Sequence, residues 1–113
     1  MLAVPVAVAT TLALALKALA APLEMLELGS NKIRDPGAKK LAEAIEIDFT
    51  LKVLSLENNV VGDKGAGALA KSLEFNGKLQ ELRLDGNKIT DAGAKKLANS
   101  LAYNYVLARL SLN

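Results

Sequence analysis

Residues 79–101 read L-Q-E-L-R-L-D-G-N-K-I-T-D-A-G-A-K-K-L-A-N-S-L, and this stretch decides the fold. It changes period in the middle. Leu82 and Leu84 alternate at period two, which puts them on one face of a short strand. After Asp91 the apolar residues Ala94, Leu97, Ala98 and Leu101 recur at helical spacing. Twenty-eight residues upstream the pattern returns as L-K-V-L-S-L-E-N-N-V-V-G-D-K-G-A-G-A-L-A-K-S-L, from Leu51 to Leu73. A further 28 residues upstream it is L-E-M-L-E-L-G-S-N-K-I-R-D-P-G-A-K-K-L-A-E-A-I, from Leu23 to Ile45. A fourth copy opens at Leu107 as L-A-R-L-S-L-N.

Each copy therefore predicts a strand, a loop, a helix and a return loop. The strand pairs are Leu26/Leu28, Leu54/Leu56, Leu82/Leu84 and Leu110/Leu112. Asp35, Asp63 and Asp91 stand where the helices begin, and a carboxylate there accepts the first free backbone N–H groups. Pro36 falls at the first helical position, where its missing N–H is harmless. Gly37, Gly65 and Gly93 recur at the second helical position and read as points of close backbone approach. Asn31, Asn59 and Asn87 follow the strands, with amides able to bond backbone groups in their own and adjacent turns. Helix ends are expected near Asp48, Asn76-Gly77 and Asn104. One such unit cannot bury its apolar face, but stacked copies bury a continuous core.

The pattern L-x-x-L-x-L-x-x-N-x-I-x-D-x-G-A-x-x-L-A-x-x-L resembles the leucine-rich repeat of the ribonuclease-inhibitor type. It extends from Leu23 to Asn113, about four-fifths of the chain. Val61 departs from the usual Ile, and the fourth copy is cut off. Uniform 28-residue spacing without cysteine is closer to the repeats of NOD-like receptors and Ran GTPase-activating proteins than to ribonuclease inhibitor itself. The resemblance implies an α/β right-handed solenoid, a short horseshoe arc with a parallel sheet on the concave side and parallel helices on the convex side. The chain divides into an apolar segment, residues 1–22, and the repeats, residues 23–113 (23–50, 51–78, 79–106 and a partial 107–113).

Composition excludes much chemistry. With no Cys and no His among 113 residues, there is no disulfide framework, no thiolate or imidazole metal site and no Ser-His-Asp triad. Aromatics are 4%, too few for stacking platforms. A balance of 14 basic to 12 acidic residues gives no sign of a nucleic-acid partner. Gly86 and Gly93 are wrongly spaced for a phosphate-binding loop, and Gly65 to Gly67 lacks the third glycine of a dinucleotide fold. The chain reads as a non-enzyme with no cofactor and no metal.

The 22 Leu and 19 Ala follow mostly from the repeat. The excess before residue 23 has three readings. Leu12, Leu16 and Leu19 share a helical face and suit a terminal capping helix, formed as a worn copy of a repeat helix. Ala18-Leu19-Ala20 could instead end a signal peptide. A membrane anchor needs roughly 20 apolar residues, and about 16 are present before Lys17. A cytoplasmic protein is expected, or a secreted one if residues 1–20 are a signal peptide; a membrane role is not expected.

Partner contacts are expected from strand residues that point away from the core: Met25, Glu27, Val53, Ser55, Glu57, Glu81, Arg83, Asp85 and Arg109. Four acids against two arginines make this face mildly acidic. The alternative for these residues is a solvated outer surface that any soluble repeat needs. Lys39, Lys40, Lys71, Lys95 and Lys96 on the helices, with Lys32, Arg34, Lys64 and Lys88 beside them, read as a solvated mixed-charge face.

The function expected is a protein-interaction scaffold using the concave face and adjacent loops, with a partner of unknown identity. The resemblance also implies a second class, a GTPase-activating protein of the Ran-regulator type, although no residue here maps to that activity. A third reading is a fragment or spacer of a longer array. Because Asn113 falls within a strand motif, marginal stability or self-association through the uncapped C-terminal end is expected.

Overall fold

A computed structural model describes residues 24–47, 51–104 and 106–113. The capping-helix, signal-peptide and anchor readings of residues 1–22, and the helix end expected at Asp48, lie outside the described residues. Among those described, four strands alternate with three helices: β1 (Met25–Glu27), α1 (Asp35–Ile47), β2 (Val53–Ser55), α2 (Asp63–Phe75), β3 (Glu81–Arg83), α3 (Asp91–Ser100) and β4 (Arg109–Ser111). A single 3₁₀ turn, Leu101–Tyr103, extends α3.

The strands form one parallel sheet in the order β1-β2-β3-β4. Each pairs in the 28-residue register: Leu26 with Leu54, Leu54 with Leu82, and Leu82 with Leu110. Helices pack against the leucine-bearing face of the sheet, α1 on α2 and α2 on α3. The architecture is the α/β solenoid expected from the repeat.

The core runs through all the repeats. Leu54, Leu56, Leu82 and Leu84 from the strands meet Leu41, Ile45, Leu69, Leu73 and Leu97 from the helices, with Ile33 and Val61 closing the loop side. Full burial of each such side chain contributes about 1.5–3 kcal/mol. Small residues keep the helices close. A Cβ on Gly65 would stand 2.7 Å from an oxygen of Asp35 and 3.1 Å from the Ala38 methyl. Gly93 repeats this against Asp63 and Ala66, so the close approach read from the sequence is present.

The recurring aspartates require a correction. Asp63 and Asp91 are not N-caps of their own helices. They lie inside the first turn, and the N-caps are Gly62 and Thr90, neither of which supplies a side-chain cap. The carboxylate reaches into the next repeat instead. Asp35 Oδ1 accepts from the backbone N–H groups of Gly62 (2.6 Å) and Gly65 (3.1 Å). Asp63 Oδ1 accepts from those of Thr90 (2.8 Å) and Gly93 (3.1 Å). Asp35 and Asp63 thus each cap the following helix, satisfying donors that a helix start leaves free.

The loop asparagines act as expected, across repeats and in the opposite direction. Asn59 Oδ1 accepts from the backbone N–H groups of Asn31 (2.9 Å) and Ile33 (3.0 Å) of the preceding repeat. Its Nδ2 donates to Leu28 O and Leu56 O, both at 2.9 Å. Asn87 does the same with Val61, Leu56 and Leu84. The tight turns between these rows use left-handed backbone at Asn58 (φ 56°) and Gly86 (φ 72°).

A second asparagine row lies at the other end of the helices. The helix ends at Asn76 and Asn104 occur where expected. Both side chains do more than stop a helix. Asn76 Nδ2 donates to Ile45 O of the preceding repeat, while its Oδ1 accepts from the backbone of Lys78 and Leu79. Asn104 bonds Leu73 O and Asn76 O and accepts from Val106 and Leu107.

Candidate functional site: the concave strand face

Because alternate strand residues point to opposite sides of the sheet, burying Leu26, Leu54, Leu82 and Leu110 sends their neighbours to the other face. Parallel pairing then aligns them in rows. Met25, Val53, Glu81 and Arg109 form one row; Glu27, Ser55, Arg83 and Ser111 form the next. Glu57 and Asp85 follow one pleat further on. The nine candidate residues thus share one surface, although the degree of exposure varies.

Met25, Glu27 and Arg109 are exposed, and Val53, Glu57, Glu81, Arg83 and Asp85 are half-buried. Ser55 departs from the expectation of an exposed contact: it is only 3% exposed. Its short side chain sits between longer neighbours, and its hydroxyl donates to Glu57 Oε1. Ser55 is the floor of a hollow.

Electrostatics on this face centre on Arg83. Its Nε donates to Glu81 in the adjacent position of the same strand face. That bond raises the guanidinium pKa further; partial desolvation opposes the effect, and the charges of Glu81, Glu57 and Glu27 reinforce it. Arg83 is therefore a permanent cation surrounded by three carboxylates. Asp85 Oδ1 accepts from the backbone N–H of Asn113 at 2.7 Å. At the strand entrance Lys52 pairs with Glu24 at 3.5 Å, exposed on both sides. Among the described residues, no group of acidic side chains could hold a metal ion. No described helix is long and apolar enough to cross a membrane.

On the helix side, the lysines stand as a mixed-charge surface, with Lys40 paired to Glu43 at 3.6 Å. The sequence reading missed one exposed feature there. Phe75 and Tyr103 are 64% and 68% exposed, one repeat apart at the C-terminal ends of α2 and its successor. Their 28-residue spacing was the available signal.

The family described as Leucine Rich repeat matches residues 21–42, 48–70 and 75–98, more than half of the chain. The chain belongs to the leucine-rich repeat family. No curated protein matches its sequence. Among solved structures, this leucine-rich repeat chain is similar to one named Leiomodin-1 Actin-Binding Site 2, with a TM-score of 0.83 and 25% identity over 89% of this chain. It also shares its fold with the tropomodulin C-terminal domain of Caenorhabditis elegans, with a TM-score of 0.76 and 18% identity over 93% of this chain. The present chain covers 60% and 62% of those two structures.

Proposed function

We propose that the chain is a non-enzymatic protein-interaction module that engages its partner through the concave strand face and adjacent loops. The carrying observation is the sheet itself. Four strands in register present rows of side chains that the core does not use, on a backbone held rigid by cross-repeat bonds. Rigid elements presenting a mixed polar and apolar surface suit partner recognition. The likeness to a leiomodin-1 fragment named as an actin-binding site supports a protein partner and makes actin the first to test. Residue spacing of 28 supports placing the repeats in the ribonuclease-inhibitor-like type. A cytoplasmic setting is part of the same proposal.

The test is binding of fluorescently labelled monomeric actin, followed by anisotropy, to the chain and to a variant with Arg83→Ala, Asp85→Ala and Arg109→Ala together. Saturable binding that the triple variant loses, with its circular dichroism spectrum unchanged, is the expected outcome. Binding that survives the three changes moves the interface to the loops or helices. Absence of binding to actin removes actin as the partner, and the same variant then serves for the next candidate.

A further inference from the structure

The small residues on the concave face leave a recess. Gly29, in the turn after β1, and Ser55, on β2, are flanked by Glu27, Glu57, Asn58 and Arg83, and together they line an open hollow of about 390 Å³. That is ample room for one long side chain. The hollow exists because Gly29 and Ser55 stand where larger residues would fill it.

Its charge is unbalanced. Glu27, Glu57 and Glu81 all act on Arg83, so three carboxylates surround one guanidinium. Arg83 Nε is already engaged by Glu81. Glu57 accepts one hydroxyl from Ser55, which cannot neutralise it. Glu27 is exposed and makes no ion pair among the described residues. The surplus is negative around the recess, and a patch of one sign attracts the opposite charge.

We infer that this hollow is the anchor pocket for a cationic side chain, arginine or lysine, of the protein partner. The inference rests on the concave-face reading above and adds the chemistry of the group received. Glu27 and Glu57 would supply the acceptors, and the amide of Asn58 would line the entrance. A guanidinium fork suits two carboxylates from adjacent repeats. The backbone of Gly29 and the methylene of Ser55 would contact the aliphatic stem.

The test follows backbone amide shifts of the ¹⁵N-labelled chain during titration with acetyl-Gly-Arg-Gly-amide. Its citrulline analogue, which keeps the shape and loses the charge, and acetyl-Gly-Glu-Gly-amide are controls. Saturable shifts confined to the neighbourhood of Gly29, Ser55 and Glu57 are expected with the arginine peptide. Binding should weaken roughly tenfold with citrulline and with Glu27→Gln. Gly29→Leu should abolish it by filling the recess. A Cβ at Gly29 meets Glu57 O at 3.4 Å and its backbone is not left-handed, so a side chain is admitted there, and circular dichroism checks that the variant is folded. Equal response to citrulline, or full binding by Gly29→Leu, overturns the pocket. Partner capture separates the two levels. A partner lost by the Arg83/Asp85/Arg109 variant but captured by Gly29→Leu removes the pocket alone. A partner captured by both removes the concave-face reading as well.

Discussion

The second and third repeats carry the same leucines at the core positions, Leu51, Leu54, Leu56, Leu69 and Leu73 against Leu79, Leu82, Leu84, Leu97 and Leu101, and differ in what lies beside them. Leu73 and Leu101 hold the same register position, yet Leu73 is 1% exposed and Leu101 38%. Ala66 and Ala70 are buried, whereas their counterparts Ala94 and Ala98 are half-buried and exposed. Among the described elements α2 has a helix on both sides, and α3 has one only on the side of α2. The helix responds: α2 runs to Phe75, but α3 ends at Ser100, three residues short of the equivalent point, and the chain continues as a 3₁₀ turn. Burial of a given leucine in this fold is a property of the stack rather than of the residue.

The largest effect that sharpens this contrast is a matched pair of truncations. Leu73→Ala should cost about 3 kcal/mol by leaving a cavity inside the stack. Leu101→Ala should cost under about 1 kcal/mol, since less apolar surface is lost from burial. Urea denaturation of both variants measures the difference, and equal losses would break the comparison.

Next come the asparagines. Asn59 is buried and holds five backbone groups of two repeats, so Asn59→Ala should cost about 2 kcal/mol by stranding buried donors and acceptors. Asn87 makes the same kind of bonds in a more solvated place. Thermal unfolding should show a smaller loss for Asn87→Ala, because water can replace part of what the amide supplied.

Acid sensitivity gives a smaller but directional test. Hydrogen bonds from the Thr90 hydroxyl and backbone, then from Gly93, with Lys96 nearby, hold the Asp63 carboxyl below the usual range. A carboxyl depressed in the folded state adds stability above its unfolded pKa, and the contribution is lost as pH falls through the folded value. Thr90→Val removes the largest of these bonds. The variant should be less stable than the parent at neutral pH, and the gap should close as the pH falls through the acid range. A gap that widens in acid would contradict the assignment. The smallest effect is at the strand entrance: Lys52→Met should change stability by under about 0.5 kcal/mol, as exposed ion pairs do.

The strands, their register and the core leucines were legible because each depends on a position within a 28-residue period. The route of the aspartates was not. A carboxylate at a helix start looks the same whether it caps its own helix or the next. Only stacking brings Asp35 to Gly62 and Gly65, which are 27 and 30 residues away. Asn76 and Asn104 read as helix stops, since a local signal carries no information about a carbonyl one repeat back. On the candidate site, the rows followed from alternation. The burial of Ser55 did not, because it depends on side chains converging from neighbouring strands.

The aspartate row reaches forward to the next repeat, and the loop asparagine row reaches back to the previous one. The two joints between the three complete repeats are thereby keyed from both sides, like boards cut with tongue and groove. A second copy of residues 51–78 inserted after residue 78 would meet the donors and acceptors it presents on each face. An insertion of half that length would leave both rows facing the wrong groups. The solenoid can therefore lengthen or shorten by whole repeats, with each one added widening the strand face by a single strand.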